Sequence, residues 1–337
     1  MADFSSTSGS FIKSRIHDEY LVIKLEWLKL GRSYDFDMYV LLNDQYVLFC
    51  RKQLTLTRAM TAKLQKKSAI YIDKRDSSFF QSYMEENIGE IIKDQSKPLQ
   101  EKSEAVYNIS TNILKDLLNA PKAASINKVK EMVQNQLDFV MTNPGAVKSL
   151  MSITQHDYYT YTHSVNVAIY LVGLGEQMKL ASDEIRNLSL GGMLHDLGKS
   201  KISLEIINCT GKLSAEQFEE MKKHPGFGIQ ILEALDQEGN MVPKACYGAI
   251  LYHHEKFVGD GGYPSGIHGK EIHIFGRMTK VCDVFDALTT KRSYKPEMSA
   301  FEALKLMKDK MASEFDPEIF EQFLRLMASY SEDQRRR

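Results

Sequence analysis

The stretch Met193-Leu194-His195-Asp196-Leu197-Gly198-Lys199 decides how the rest of the chain is interpreted. The apolar residues before it, from Ile185 to Gly192, recur at helical spacing, so we expect a helix that carries an imidazole and a carboxylate on its buried face. A buried carboxylate is costly unless a positive charge compensates it. Lys199, three positions beyond Asp196, and a metal ion are both candidates for that charge.

Composition restricts the classes of function. The 337 residues contain 43 Lys and Arg against 44 Asp and Glu, a net charge of -1. Such a chain has no overall attraction for DNA or RNA polymers, so a nucleotide partner would be small and locally bound. Four scattered cysteines without a CxxC pair fit a reducing compartment better than disulfides or a zinc–thiolate site. Without a signal-peptide pattern or a run long enough to cross a bilayer, the sequence predicts a cytoplasmic protein with no membrane span.

Residues 1–95 predict a small α+β domain with a regulatory or docking role. The segment Asn43-Asp44 lies between two apolar runs and predicts a tight hairpin turn. The domain contains no ligand cluster, phosphate-binding glycine loop or nucleophile elbow, so a homodimer contact and a signalling-protein partner are both open. Its predicted elements are strands at 20–30, 36–42, 45–50 and 69–73 and helices at 57–67 and 79–92.

Helical periodicity dominates after a polar segment that contains Pro98. The segment 259–269 is an exception, because five glycines and a proline require a loop. The fold class is therefore mainly α, a C-terminal all-α bundle with a small N-terminal α+β domain. The predicted parts are the domain 1–95, a helical linker region at 96–145 with helices at 101–119 and 126–141, and a bundle at 146–330.

Seven side chains that can bind metal fall at inward or terminal positions of successive predicted helices. Taken singly, each has an ordinary explanation: His163 as a core residue, His224 as a helix cap, Asp283 as a hydrogen-bond acceptor. Together they are typical of a metal site between facing helices of a bundle. The seven are His163, His195, Asp196, His224, His253, His254 and Asp283.

The ligand types suggest which metals and how many. Adjacent helical side chains point about 100° apart, so we expect His253 and His254 to serve two neighbouring ions. Imidazole and carboxylate without thiolate suit iron or manganese, although ligand type alone does not exclude zinc. Two ions about 3.5–4 Å apart, held by a shared carboxylate, form a site for attack on phosphate. Asp196 is the candidate for that bridge.

Several motifs in one order resemble the HD-GYP family of phosphodiesterases, a branch of the HD metal-dependent phosphohydrolase superfamily. They are His163, HDLGK (195–199), His224-Pro225, HHE (253–255), GDGGYPSGI (259–267) and DVFDAL (283–288). The resemblance covers residues 145–330 and leaves out the N-terminal domain. It implies an HD-type helical bundle that hydrolyses cyclic di-GMP, a bacterial second messenger in signal transduction, to linear pGpG and often on to GMP.

The resemblance also implies roles for residues. The family's metal ligands map onto the seven side chains above and hold two divalent ions, with iron or manganese favoured. Lys199 would stand beside the ions and stabilise charge on a phosphate oxygen, next to the bridging Asp196. The signature loop is Gly262-Tyr263-Pro264, whose tyrosine can stack on a guanine or contact phosphate. Arg292 and Lys295 match the basic positions that hold the substrate's phosphates.

One position departs from part of the family, and two other functions remain open. Members with three metals carry a glutamate four residues before the first-helix histidine; here that residue is Tyr159, so the site resembles the two-metal version. One alternative is a sensor that binds cyclic di-GMP with negligible turnover. The other is an HD phosphohydrolase that acts on another cyclic dinucleotide or on a nucleotide monoester.

Overall fold

The computed structural model describes residues 19–62, 69–154, 159–209, 211–236, 239, 241–290 and 297–335, with the backbone alone from 331. The chain divides into two compact units, Met1–Ile91 and Ile92–Arg337. Arg292 and Lys295 lie outside the described residues. The regulatory and linker roles assigned to 1–95 and 96–145 stay predictions.

The first unit is an antiparallel sheet with strand order β1-β4-β2-β3. The predicted hairpin is confirmed: Asn43 and Asp44 have φ of 48° and 61°, the left-handed pair that a two-residue turn requires. The elements are β1 (Tyr20–Ile23), β2 (Met38–Leu42), β3 (Gln45–Cys50), α1 (Arg58–Thr61), β4 (Ile70–Asp73) and α2 (Ser77–Lys93).

Two predictions for this unit differ from the structure. The strand predicted over 20–30 ends at Ile23, because a 3-10 turn at Leu25–Trp27 redirects the chain and brings Leu28 into the core at 7% exposure. The helix predicted over 57–67 begins after the Thr57 cap and is described only as far as Thr61. Residues 63–68 of that prediction lie outside the described residues.

The second unit is all-α in its described part, so the predicted fold class is confirmed. The predicted helices at 101–119 and 126–141 are present with slightly wider bounds. The helices are α3 (Leu99–Asn119), α4 (Ala123–Thr142), α5 (Ala146–Met151), α6 (Thr160–Gln177), α7 (Ser182–Leu194), α8 (Leu204–Ile207), α9 (Ala215–Met221), α10 (His224–Leu235), α11 (Lys244–Tyr252), α12 (Ile274–Thr289), α13 (Ala300–Lys310) and α14 (Pro317–Arg335).

Helix α6 is the centre of this unit. Every residue from Thr162 to Gly175 is buried, and the helix packs against α3, α5, α7, α12 and α14. A helix that is apolar on all sides belongs in the interior of a bundle. None of the helices in the described part of the chain combines the length and apolarity that crossing a bilayer needs.

Candidate metal centre

The structure brings all seven predicted ligand residues together in the second unit. They form three overlapping groups, and within each group one ligand atom per residue lies within 4.8 Å of the others. The groups are His163, His195 and Asp283; His195, Asp196 and His253; and His224, His253 and His254.

The helix that leads into His195 and Asp196 ends earlier than predicted. Helix α7 stops at Leu194, His195 is its C-cap, and Asp196 has a non-helical φ of -98° and ψ of 7°. The prediction that Asp196 belongs to this helix is therefore wrong. A 3-10 turn at Leu197–Lys201 follows, and Gly198 lets it pack on α10, because a Cβ there would lie 1.9 Å from the carbonyl oxygen of His224. This turn brings Asp196 beside His224.

His253 and His254 also lie at a helix end. Helix α11 stops at Tyr252, and His253 is its C-cap with right-handed helical φ and ψ, so the helix ends earlier than the predicted His254. Their ring centroids are 4.1 Å apart, and both fall in one ligand group with His224. The expectation that they serve two neighbouring ions stays a prediction.

Three of the histidines are oriented by the backbone. The Nδ1 atoms of His195, His224 and His253 lie 2.7, 2.8 and 2.9 Å from the carbonyl oxygens three residues before them, at Gly192, Met221 and Ile250. A carbonyl oxygen only accepts, so Nδ1 carries the proton in each ring and the lone pair is left on Nε2. All three Nε2 atoms therefore present a lone pair for a metal.

His163 is oriented by side chains instead. Its Nδ1 lies 2.7 Å from Asp286 Oδ2, and Asn166 donates from Nδ2 to Asp286 Oδ1 at 2.9 Å. The Tyr107 hydroxyl donates to Asn166 Oδ1, also at 2.9 Å. All four residues are at most 3% exposed. A buried chain of hydrogen bonds thus runs from α3 to the imidazole on α6.

The converging atoms fit a cation. His224 Nε2 and His253 Nε2 are 3.2 Å apart, although both rings already hold a proton on Nδ1. Two lone pairs at this distance repel unless a cation lies between them. His195 Nε2 and Asp196 Oδ1 are also buried, with no hydrogen-bond partner among the described residues. Imidazole nitrogens and carboxylate oxygens are ligands of divalent transition metals, so this donor set fits a metal centre.

The charges of the centre favour metal over protons. Burial lowers the pKa of His195, His253 and His254, and lowers the pKa of His224 to about 4, which keeps these rings neutral at neutral pH. Burial opposes ionisation of Asp196, but Lys199 and the surrounding histidines outweigh it and hold the pKa of that carboxyl well below its usual range. The Lys199 Nζ is 2.6 Å from Asp196 Oδ2. Neutral imidazole and carboxylate are the metal-binding forms.

A cleft of about 1250 Å³ opens beside these residues. Lys199, His254, Asp283 and Tyr263 line it near the metal centre. The Tyr263 ring stacks on His254, with centroids 4.6 Å apart and planes at 22°. The signature loop therefore contributes one wall of the cleft, directly against a candidate ligand.

Sequence analysis missed the residue that holds this loop. Glu255 is 1% exposed, and its Oε1 accepts from the backbone N–H of Ser265 at 2.6 Å and of Gly266 at 3.0 Å. Gly262 is also required, because a Cβ there would lie 2.7 Å from Glu255 Oε2. The available signal was the carboxylate that directly follows the histidine pair in the HHE motif.

The second residue missed was the partner of His163. Asp286 binds an imidazole and an amide that lie 120 or more positions away in the sequence. Its place one turn after Asp283, on a buried helix face, was the signal.

Together, the fold and the donor set define a helical bundle with a histidine–carboxylate cluster that can hold metal ions. Residues 147–319, just over half of the chain, match the family model described as HD domain, and the chain belongs to this family. The resemblance to HD-GYP proteins is confirmed by the relatives that follow.

Cyclic di-GMP phosphodiesterase PA4108 of Pseudomonas aeruginosa is 36% identical over 191 residues, which cover 57% of this chain and 45% of that protein. The 3'3'-cGAMP-specific phosphodiesterase 3 of Vibrio cholerae is 30% identical over 211 residues, 63% of this chain and 43% of that protein. The chain thus spans about half the length of the curated relatives it matches. Among solved structures, the HDG"Y"P protein Bd1817 of Bdellovibrio bacteriovorus has a TM-score of 0.65 at 22% identity, covering 92% of this chain and 100% of that one. This likeness shows the fold.

Proposed function

We propose that the protein is a metal-dependent phosphodiesterase that hydrolyses cyclic di-GMP to linear pGpG and, in a second step, to GMP. The observation that carries the proposal is the convergence of imidazole lone pairs and ionised carboxylates at the wall of an open cleft that also contains Lys199 and Tyr263. Relatives named as cyclic di-GMP phosphodiesterases support the substrate class.

We place two divalent ions in this centre, iron or manganese. The two oxygens of Asp196 support a bridging role, because they face different histidines: Oδ2 lies 3.5 Å from His195 Nε2 and Oδ1 lies 3.4 Å from His224 Nε2. The remaining ligands divide between the two sides, with His163 and Asp283 on one and His253 and His254 on the other. When bound, the ions lower the pKa of water and stabilise negative charge on phosphate.

The surrounding residues hold the substrate. Lys199 is 16% exposed on its side chain and can move from Asp196 to a phosphate oxygen that enters the cleft. Tyr263, in the loop held by Glu255, presents an aromatic surface to a guanine. Gly262 and Pro264 shape the same loop. The phosphate-holding roles of Arg292 and Lys295 remain predictions that lie outside the described residues.

We propose a cytoplasmic location for the protein and make no new proposal about its assembly. The four cysteines are free thiols, which supports the predicted reducing, cytoplasmic compartment. A homodimer or a signalling-protein partner through the N-terminal domain stays a prediction.

The decisive experiment purifies the protein without oxygen, measures its metal content and follows the products of cyclic di-GMP by chromatography. We expect about two metal ions per chain and accumulation of pGpG, with GMP appearing later. Parallel reactions with 3'3'-cGAMP test the other substrate named among the relatives. If the protein binds cyclic di-GMP tightly but forms no linear product when iron or manganese is supplied, the proposed function would be wrong and the sensor alternative would take its place.

A further inference from the structure

Two tyrosines line the same cleft outside the metal centre. The rings of Tyr159 and Tyr161 are stacked, with centroids 5.2 Å apart and planes at 4°. Both belong to the cleft wall that also includes Lys199 and Tyr263. The Tyr159 side chain is among the exposed large apolar groups, at 56% exposure. The metal centre uses neither ring, so this aromatic surface has another purpose.

The backbone of Tyr159 and the ring of Tyr161 are each held by contacts within the protein. Tyr159 is the N-cap of α6; its backbone N–H donates to Thr162 Oγ1 at 3.0 Å, and the Thr162 hydroxyl donates to the Tyr159 carbonyl at 2.9 Å. The ammonium of Lys115 lies 5.8 Å from the centroid of the Tyr161 ring, a cation–π contact. A tyrosine side chain on an ordered backbone has only two torsions to fix, so it loses little conformational entropy on binding a ligand.

We propose that Tyr159 and Tyr161 form a stacking platform for one nucleobase of the cyclic dinucleotide. This inference rests on the proposed function, and it names the subsite that recognises the second base. A cyclic dinucleotide has two bases, whereas Tyr263 already stacks on His254 and offers one aromatic surface beside the metals. The cleft, about 1250 Å³, is larger than the usual small-ligand pocket of about 300–1,000 Å³, so it has room for both bases.

The contribution expected from this platform is measurable. Stacking of a base on an aromatic side chain changes affinity by about 5- to 150-fold. Because every base has a π face, the platform strengthens binding of both purines and sets no choice between guanine and adenine. It therefore recognises a dinucleotide as such, and the distinction between cyclic di-GMP and 3'3'-cGAMP falls to other contacts.

A purely structural role fits these observations less well. Tyr159 is an exposed residue, so its truncation removes little buried apolar area and should leave the bundle folded. The helix start is secured by the Thr162 hydroxyl and the backbone at position 159, which any residue there would retain.

The test compares Tyr159→Leu, Tyr159→Phe and Tyr159→Trp with the wild type, using cyclic di-GMP for both kinetics and equilibrium binding. We expect Tyr159→Leu to raise KM and Kd about tenfold, more than it lowers kcat, and we expect Phe and Trp to restore both constants, since they keep the stacking surface. Phe301→Leu is the matched control, an aromatic on α13 that is 76% exposed and outside the cleft.

The binding measurement separates this inference from the proposed function. A tenfold weaker Kd in Tyr159→Leu supports the platform even if the wild type forms no linear product. An unchanged Kd overturns it even if the wild type hydrolyses cyclic di-GMP efficiently. Failure of Phe and Trp to restore Kd would also overturn it, because the effect would then come from the hydroxyl or the local fold.

Discussion

Two kinds of support hold the histidines of the candidate metal centre. His195, His224 and His253 donate from Nδ1 to carbonyl oxygens three residues earlier in the chain. By contrast, His163 depends on Asp286, which lies 123 positions away on another helix. The first arrangement is local and belongs to the backbone, whereas the second is tertiary and belongs to side chains.

This difference has a practical meaning. A backbone carbonyl stays in place whatever the neighbouring side chains are, so the orientation of the first three rings resists substitution elsewhere. The orientation of His163 depends on every member of the chain from Tyr107 through Asn166 to Asp286. Partners of this kind raise the basicity of a ligating imidazole and fix its ring, which makes them points where metal affinity can be changed without touching a ligand.

The largest effect should come from Asp196, the residue that we propose as the bridge between the two ions. Asp196→Ala removes the carboxylate that faces His195 through one oxygen and His224 through the other, so we expect loss of both ions and of detectable hydrolysis. Metal analysis after gel filtration measures this. Asp183→Ala, a carboxylate 81% exposed on α7, is the control and should keep full metal content. An Asp196→Ala protein that retains both ions would show that the two sides are not joined through this residue.

Lys199→Ala should have the next largest effect and separates charge stabilisation from ligand geometry. Loss of one group that stabilises developing charge typically lowers kcat about 10²–10³-fold. We expect a decrease of that size here, with both metal ions still bound. Steady-state kinetics together with metal analysis check this. Lys201→Ala, an exposed lysine in the same turn, should keep wild-type kcat. Wild-type turnover in Lys199→Ala would leave the lysine a structural partner of Asp196 only.

Asp286→Ala tests directly whether His163 needs its side-chain partner. Removal of a carboxylate that orients a ligating histidine typically lowers metal affinity about 10–100-fold, and we expect a loss of that size, with smaller loss in Asp286→Asn. Competition with a chelator of known affinity measures it. Asp309→Ala, an exposed carboxylate on α13, is the control. If Asp286→Ala binds metal as tightly as the wild type, His163 does not need its side-chain partner and the two kinds of support are equivalent for metal binding.

Tyr107→Phe should have the smallest effect, and it tests whether the hydrogen bonds from Tyr107 to His163 act together. It removes one buried hydrogen bond, worth about 1 kcal/mol, so we expect metal affinity to fall up to about fivefold if the whole bond energy is transmitted to His163. Tyr247→Phe is the control: it makes the same substitution on α11, at a residue that does not belong to these hydrogen bonds, and should leave metal affinity unchanged. A lower melting temperature with unchanged metal affinity would confine Tyr107 to a stabilising role.

Much of the fold could be predicted because its signals are local. Helical periodicity predicted α3 and α4 within a few residues, and Asn43-Asp44 predicted the hairpin through its left-handed turn. The candidate ligands could be chosen from motif order, and the structure places all seven together. The end of α7 before Asp196 could not be predicted, because apolar spacing continues past the point where Gly198 packs on α10.

The supporting hydrogen bonds escaped prediction for a different reason. A contact between Asp286 and His163, or between Tyr107 and Asn166, joins positions far apart in sequence and leaves no periodic trace. The place of Asp286 on a buried helix face indicated that its carboxylate needs a partner, but burial does not indicate which partner.

The hydroxyl of Tyr107 has a consequence for where this chain can be shortened. Tyr107 lies on α3, well before residue 147, where the match to the HD domain begins. A protein trimmed to the matched residues would keep every candidate ligand and lose the donor to Asn166, leaving that amide oxygen unpaired in the core. The smallest part of this chain that keeps the whole hydrogen-bonded support of His163 is therefore longer than the residues that match the family, because it includes α3.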